Sequence, residues 1–204
     1  MISVDEALTA ILSEIKPLGL ESVHVGDGLG RVLGEDVRAG RPNPPWDNSA
    51  MDGYALRSAD TKGASDKSPV TLKVIYDLPA GGVPKTPVSA GEAVRIMTGA
   101  PMPDGADAVV MVEMTNKAGT DLESVAILQE AKHGDHIRKT GEDFKLGALV
   151  LKKGDRLRPS GVAMLATIGA PYVFVHKKPR VAVISTGDEL VDLNETPAKG
   201  KISN

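Results

Sequence analysis

Proline and glycine interrupt this chain so often that long helices cannot dominate it. The sequence holds 22 glycines and 14 prolines in 204 residues, well above the ~12% of an average protein. The segment Arg41-Pro-Asn-Pro-Pro-Trp46 can be neither helix interior nor central strand and reads as a stiff connector. Between the breaks lie short apolar runs at Val23–Val25, Val32–Val37, Val70–Tyr76, Ala93–Met97, Ala108–Met114 and Ser124–Gln129. Short strands at this spacing predict a β-rich, sandwich- or barrel-like unit. The polar stretch Lys62–Ser68 is expected to be an exposed loop.

Helical signals are confined to two places. Ser3 and Glu6 have capping-box spacing, and Val4, Ala7, Leu8, Ile11, Leu12 and Ile15 then recur at helical intervals until Pro17. Such an amphipathic helix either covers a core, its ordinary role, or docks onto a partner. Pro159 and Ser160 open a second helix, Gly161–Ile168, stopped by Gly169. Before it, Ala148–Leu151 and Asp155–Leu157 are expected to form a hairpin; after it, Tyr172–Val175 reads as a strand. Arg180–Ile184 (RVAVI) is a continuous apolar run, predicting a strand buried on both faces. It leads into the polar loop Ser185–Leu190, and ligands in α/β sheets bind at the carboxyl ends of strands.

Composition excludes several functions. Cysteine is absent, which removes disulfides, thiolate metal sites and a cysteine nucleophile, and accords with a reducing, cytoplasmic setting. A net charge of −3 and only one Trp, three Tyr and two Phe argue against nucleic-acid binding. No apolar run is long enough to cross a membrane, and no secretory signal opens the chain. His133 and His136 have a spacing seen among metal ligands, but no third ligand stands at a diagnostic offset and no metal is expected there. Phosphate-loop, dinucleotide-binding and nucleophile-elbow motifs are missing.

Three further segments carry chemistry. In Asp47-Asn-Ser-Ala-Met-Asp-Gly-Tyr54 two carboxylates flank Asn48 and Ser49. This loop can bind a cation through oxygen ligands, orient a polar substrate, or simply form an Asx-rich turn. In Arg95–Pro103, Thr98 and the amides near Gly99 can meet an anion or merely end a hairpin. In Arg138-Lys-Thr-Gly-Glu-Asp143, Arg138 can hold a phosphate and Asp143 a metal, unless the loop is only solvated.

Together these words resemble one family. Asp47–Ala55, Arg95–Pro101, Ala108–Met111 with Glu113, Arg138 with Gly141–Asp143, and Val183–Leu190 occur in the order seen in the MoeA family of molybdopterin molybdenumtransferases, which includes the E domain of gephyrin. The resemblance implies molybdenum cofactor synthesis, in which molybdate is inserted into adenylylated molybdopterin with release of AMP and dependence on Mg²⁺. It places Asp52, Thr98, Asp143 and Glu189 in the active site, with Asp52 and Asp143 as Mg²⁺ ligands. Ser49, Arg138, Ser185 and Asp188 follow as substrate-binding residues. It also implies a cytoplasmic homodimer, with other cofactor-assembly proteins as further partners.

The implied fold is α+β and multi-domain. Residues 1–40 and 138–177 form a mixed α/β domain, 41–137 an inserted β-rich domain, and 178–204 the start of a truncated molybdopterin-binding α/β domain. The Gly-Gly-x-Ser and Pro-Gly-x-Pro segments of that last domain do not occur in this sequence. The isolated chain is therefore expected to be inactive; the other reading is a noncatalytic dimerisation or scaffold module.

Overall fold

The computed structural model describes residues 2–116 and 123–204. The chain opens with helix α1 (Val4–Glu14), whose capping box is present: the Ser3 hydroxyl accepts from the Glu6 amide, and the Glu6 carboxylate accepts from the Ser3 amide. No residue of α1 is buried. Leu8, Ile11 and Ile15 are all exposed, so the helix does not cover a core of this chain, contrary to its ordinary role.

Strands β1 (Leu20–His24) and β2 (Val37–Arg38) follow, then β3 (Asn48–Ser49) and β4 (Gly53–Leu56). Next come β5 (Ser65–Leu78), β6 (Glu92–Ile96), β7 (Ala108–Met111), β8 (Ser124–Gln129) and β9 (Ile137–Arg138). The chain then passes through β10 (Leu149–Leu151), α2 (Pro159–Ile168), β11 (Tyr172–His176), β12 (Leu190–Val191) and β13 (Ile202–Ser203). The fold is α+β, with far more strand than helix among the described residues.

Pairing is nested. β1 pairs antiparallel with β11, β2 with β10, and β3 with β9. Inside this nest lies a five-stranded sheet of order β7-β4-β6-β5-β8. It is antiparallel except for β5 and β6, which run parallel. Parallel neighbours require a long crossover, and residues 79–91 supply it. The hydroxyl of Tyr76 donates to the Thr86 carbonyl (3.0 Å) and accepts from the Lys85 amide (3.3 Å), pinning that crossover to the sheet.

The hydrophobic residues divide accordingly. Leu33, Leu157, Leu165, Ile168, Val173 and Val175 form one core from the two ends of the nest. The five-stranded sheet is buried on both faces. Tyr54, Leu56, Leu72 and Val125 pack on one, and Ala55, Val94, Ile96 and Val109 on the other. β4 is buried at every position because it sits between β6 and β7 with apolar side chains above and below. A Cβ on Gly53 would lie 2.0 Å from the Val110 carbonyl oxygen, so only glycine permits β4 and β7 to approach as they do.

Several local expectations change. Ser65–Ser68 belongs to β5 rather than to a loop, because β8 extends the ladder outward to a Ser65–Gln129 pair. The predicted strand at Val32–Val37 resolves into isolated bridges at Val32 and Leu33 and the short β2. The stretches 148–151 and 155–157 do not form a hairpin with each other. β10 pairs with β2, and Arg156 bridges to Val32. Ala108–Met114 is a strand only to Met111 and then tightens into a 3₁₀ turn.

The largest correction concerns Arg180–Ile184. This run forms no strand and pairs with none among the described residues, and Val181, Val183 and Ile184 are 77%, 90% and 80% exposed. A strand buried on both faces needs neighbours at its edges and layers above and below. Among the described residues nothing provides them.

Candidate functional site

The site is built around β3, where the proline-rich connector enters the five-stranded sheet. The antiparallel register sets Asn48 opposite Arg138 and Ser49 opposite Ile137. On its other edge, Asn48 is bridged to Pro101. The Ser49 amide donates to the Ala100 carbonyl (3.0 Å), and its carbonyl accepts from the Gly99 amide (2.8 Å). Three chemistry-bearing segments, far apart in sequence, therefore meet on one short strand. Gly99 turns at φ 85°, the left-handed conformation glycine adopts without strain, which lets Thr98 swing towards the turn after β3.

Asp47 and Asp52 use their carboxylates differently. Asp47 accepts through both oxygens: Oδ2 from Lys139 Nζ (2.9 Å), and Oδ1 from the Thr140 amide (2.8 Å) and hydroxyl (2.9 Å). It anchors the 138–143 loop. The Thr140 amide foremost, with Lys139 beside it, holds this carboxyl below the usual carboxylate range. Asp52 accepts through Oδ1 alone, from the Thr98 amide (2.7 Å) and hydroxyl (2.8 Å). Among the described residues no hydrogen bond reaches its Oδ2. The Thr98 amide and then the Thr98 hydroxyl lower the Asp52 pKa, with a smaller pull from the positive charge of Arg95. The result is an exposed, ionised carboxylate with one oxygen tethered and one presented outward.

Asp143 repeats that pattern. Its Oδ2 accepts from Asn43 Nδ2 (2.7 Å), and no described hydrogen bond reaches its Oδ1. The amides of Asp143 and Phe144 both donate to the Asn43 carbonyl, so the connector and the loop hold each other in place. Arg138 is exposed and forms no side-chain hydrogen bond or ion pair among the described residues.

Ser49 has a different position from the one its expected role needs. It is fully buried, and its hydroxyl donates to the Met51 carbonyl while accepting from the Met51 amide (3.2 Å). That ring shapes the turn leading to Asp52 and engages the hydroxyl as both donor and acceptor. Ser185, Asp188 and Glu189 stand apart from the β3 cluster. The hydrogen bonds of residues 185–204 remain within that stretch: Leu190 to Gly187, Ile202 to Glu189 and Lys201 Nζ to the Asp188 carbonyl. Ser185 and Gly187 border a polar cavity of about 300 Å³ with Asp192 and Glu195. The structure thus brings together Ser49, Asp52, Thr98, Arg138 and Asp143, but not the last three expected residues.

Among the described residues no three His, Cys, Asp or Glu groups converge as a metal cage. Magnesium is commonly held by one or two carboxylates together with waters and substrate phosphates. Asp52 and Asp143 each leave one carboxylate oxygen without a hydrogen bond among the described residues, and such oxygens are the hard donors magnesium takes. His133 Nδ1 meets Asp107 Oδ2 at 3.2 Å. No helix among the described residues is long and apolar enough to cross a membrane.

A molybdopterin molybdenumtransferase of Bacillus subtilis is 42% identical over all 204 residues of this chain, which span 47% of the relative. One from Staphylococcus epidermidis is 39% identical over 203 residues, 48% of its length. The crystal structure of a molybdopterin biosynthesis moeA protein from Pyrococcus horikoshii OT3 superposes with a TM-score of 0.89 at 41% identity. It is matched over the whole of this chain and 54% of its own. The chain spans about half the length of the curated relatives it matches. Residues 2–169 match the family described as the MoeA N-terminal region (domain I and II), and the chain belongs to that family.

Proposed function

We propose that this chain forms part of a molybdenum-insertion site that takes molybdate and adenylylated molybdopterin and releases AMP. The single observation that carries this reading is the outward Oδ2 of Asp52, held ionised beside β3 by Thr98. The names of the relatives supply the substrate class.

Insertion requires attack by a molybdate oxygen on the adenylyl phosphorus. The phosphorus–oxygen bond to the molybdopterin phosphate breaks, leaving the adenylyl group on a molybdate oxygen; the pterin sulfurs then bind molybdenum and displace that oxygen, so the Mo–O bond breaks and AMP leaves. Bound Mg²⁺, held by Asp52 and Asp143, would supply charge neutralisation at the phosphate oxygens. Thr98 keeps Asp52 ionised and oriented. The Arg138 guanidinium, without a side-chain partner among the described residues, attracts oxyanions to the same edge. Ser49 acts indirectly, by shaping the Met51–Asp52 turn. Ser185, Asp188 and Glu189 would contribute from an α/β segment once it is assembled against this edge. We place residues 1–40 and 138–177 in one domain, with 41–137 inserted and 178–204 opening the next; the nested pairing and the separate cores support this division.

A homodimer is part of the proposal. The exposed apolar stripe of α1 supports it and also favours a second reading, a noncatalytic dimerisation module. A chimera of this chain with the remaining half of the Bacillus subtilis relative separates the two. With molybdate, Mg²⁺ and adenylylated molybdopterin it should release AMP, and Asp52→Asn should remove that release with folding intact. A folded dimeric chimera that releases no AMP would favour the scaffold.

A further inference from the structure

Arg95 lies at the end of β6 that leads to Thr98. The β4–β6 register sets it opposite Tyr54, and the β5–β6 register sets it opposite Asp77. Its neighbours Val94 and Ile96 pack on one face of the sheet, so Arg95 projects to the other, where Tyr54 packs. Its guanidinium lies 3.8 Å from Asp77 Oδ1, and the two side chains are 34% and 37% exposed. The positive charge of Arg95 also reaches Tyr54 and Asp52, and no other cation among the described residues acts on Asp52.

This ion pair is incomplete. At 3.8 Å it is beyond hydrogen-bond reach, and among the described residues none of the five guanidinium N–H donors makes a hydrogen bond. Arg31, Arg38, Arg41 and Arg156, by contrast, each donate to a backbone carbonyl. Asp77 Oδ1 is itself buried without a hydrogen-bond partner. A buried carboxylate oxygen is costly without a counter-charge beside it, so Asp77 keeps Arg95 against the sheet. The guanidinium is held in place with its donors unspent.

Charge decides what such a group can take. Asp52, Arg95 and Asp77 together carry one net negative charge, which opposes an incoming anion. A divalent cation on Asp52 reverses this to one net positive charge, beside a planar guanidinium whose paired donors match an oxyanion. We propose that Arg95 binds an oxyanion of the substrates at this edge, and does so only once a divalent cation sits on Asp52; the substrate class rests on the proposed function. Molybdate and the phosphate of the adenylyl group share that chemistry.

The test follows the Arg95 Nε–H signal of the 204-residue chain by proton–nitrogen NMR. The chain is titrated with molybdate and with AMP, each with and without saturating Mg²⁺, and affinities are measured by calorimetry. With Mg²⁺ at least one of the two should shift that signal saturably and bind about tenfold tighter than without it. Sodium chloride of equal ionic strength should give no saturable shift. Tighter binding of molybdate assigns that oxyanion, and tighter binding of AMP assigns the phosphate. By linkage, the bound oxyanion should tighten Mg²⁺ binding by the same factor. Arg95→Gln should weaken oxyanion binding about tenfold to hundredfold, the worth of hydrogen bonds to a charged group. Arg95→Lys should recover only part of it, since a point charge lacks the fork. Asp77→Asn breaks the same ion pair but keeps the guanidinium, so it should weaken binding far less than Arg95→Gln. Asp52→Asn should remove the Mg²⁺ dependence. The inference is overturned if neither oxyanion shifts the Arg95 signal, if chloride shifts it equally, or if Mg²⁺ makes no difference. It is equally overturned if Arg95→Gln keeps full affinity, if Asp77→Asn loses as much as Arg95→Gln, or if the Mg²⁺ dependence survives in Asp52→Asn. None of these readings uses AMP release by the chimera, so failure here and failure of the insertion chemistry are separate results.

Discussion

Replacing Asp47 by Ala tests how the site is held together. The carboxylate is the junction between the connector and the 138–143 loop, and it accepts three hydrogen bonds at 2.8–2.9 Å. Bonds to a charged group contribute ~1.5–3 kcal/mol when well shielded. Asp47 is 40% exposed and Lys139 is 58% exposed, so the ion pair itself adds little. The Thr140 amide and hydroxyl carry most of the effect, and a net loss of about 1.5–2 kcal/mol is expected. For a chain of this size that corresponds to a melting-temperature decrease of roughly 3–8 °C. Urea unfolding gives the free energy, and amide exchange reads the contact itself, because protection of the Thr140 amide should fall in the variant. Unchanged stability together with unchanged Thr140 protection would refute the anchoring role.

Other outcomes follow from the same geometry. Both Asp47 and Asp52 have lowered pKa values. Their stabilising contribution is therefore complete above the usual carboxylate range and is lost as pH falls through their lower folded values; an NMR titration should show the Thr98 and Thr140 amides shifting together only in acid. Gly53→Ala should destabilise the chain by more than an ordinary glycine replacement, since the added Cβ would meet the Val110 carbonyl at 2.0 Å; a melting temperature equal to the parent's would contradict this. Ile96→Ala, at a fully buried position, should cost about 2–5 kcal/mol in urea unfolding. Charges at Leu8 and Ile11 on α1 should convert a dimer to monomer in light scattering while leaving stability nearly unchanged, because neither side chain is buried within the chain.

Much of the site was legible in the sequence because its polar residues sit in short words bounded by Gly and Pro. The Asp52–Thr98 contact joins two of those words, and the Asn43–Asp143 contact joins the connector to a third. What could not be read was which carboxylate faces inward. Asp47 and Asp52 look alike in sequence, and only the β3–β9 register turns Asp47 towards Thr140. Ser49 shows the same limit, since its burial follows from strands on both sides and not from any local signal. The run Arg180–Ile184 has the composition of a central strand, yet strand formation there depends on neighbours that composition does not supply. α1 obeyed its capping signal, while the destination of its apolar face lay beyond what periodicity encodes.

The central claim is that Asp52, with one oxygen presented outward, acts in molybdenum insertion, whereas Asp47, with both oxygens occupied, only holds a loop. AMP release by the chimeric enzyme, measured side by side for Asp52→Asn and Asp47→Asn at saturating Mg²⁺ and molybdate, tests it most directly. The account predicts that Asp52→Asn abolishes release while Asp47→Asn, kept below its lowered melting temperature, retains most of it. Equal release by the two variants would contradict the account.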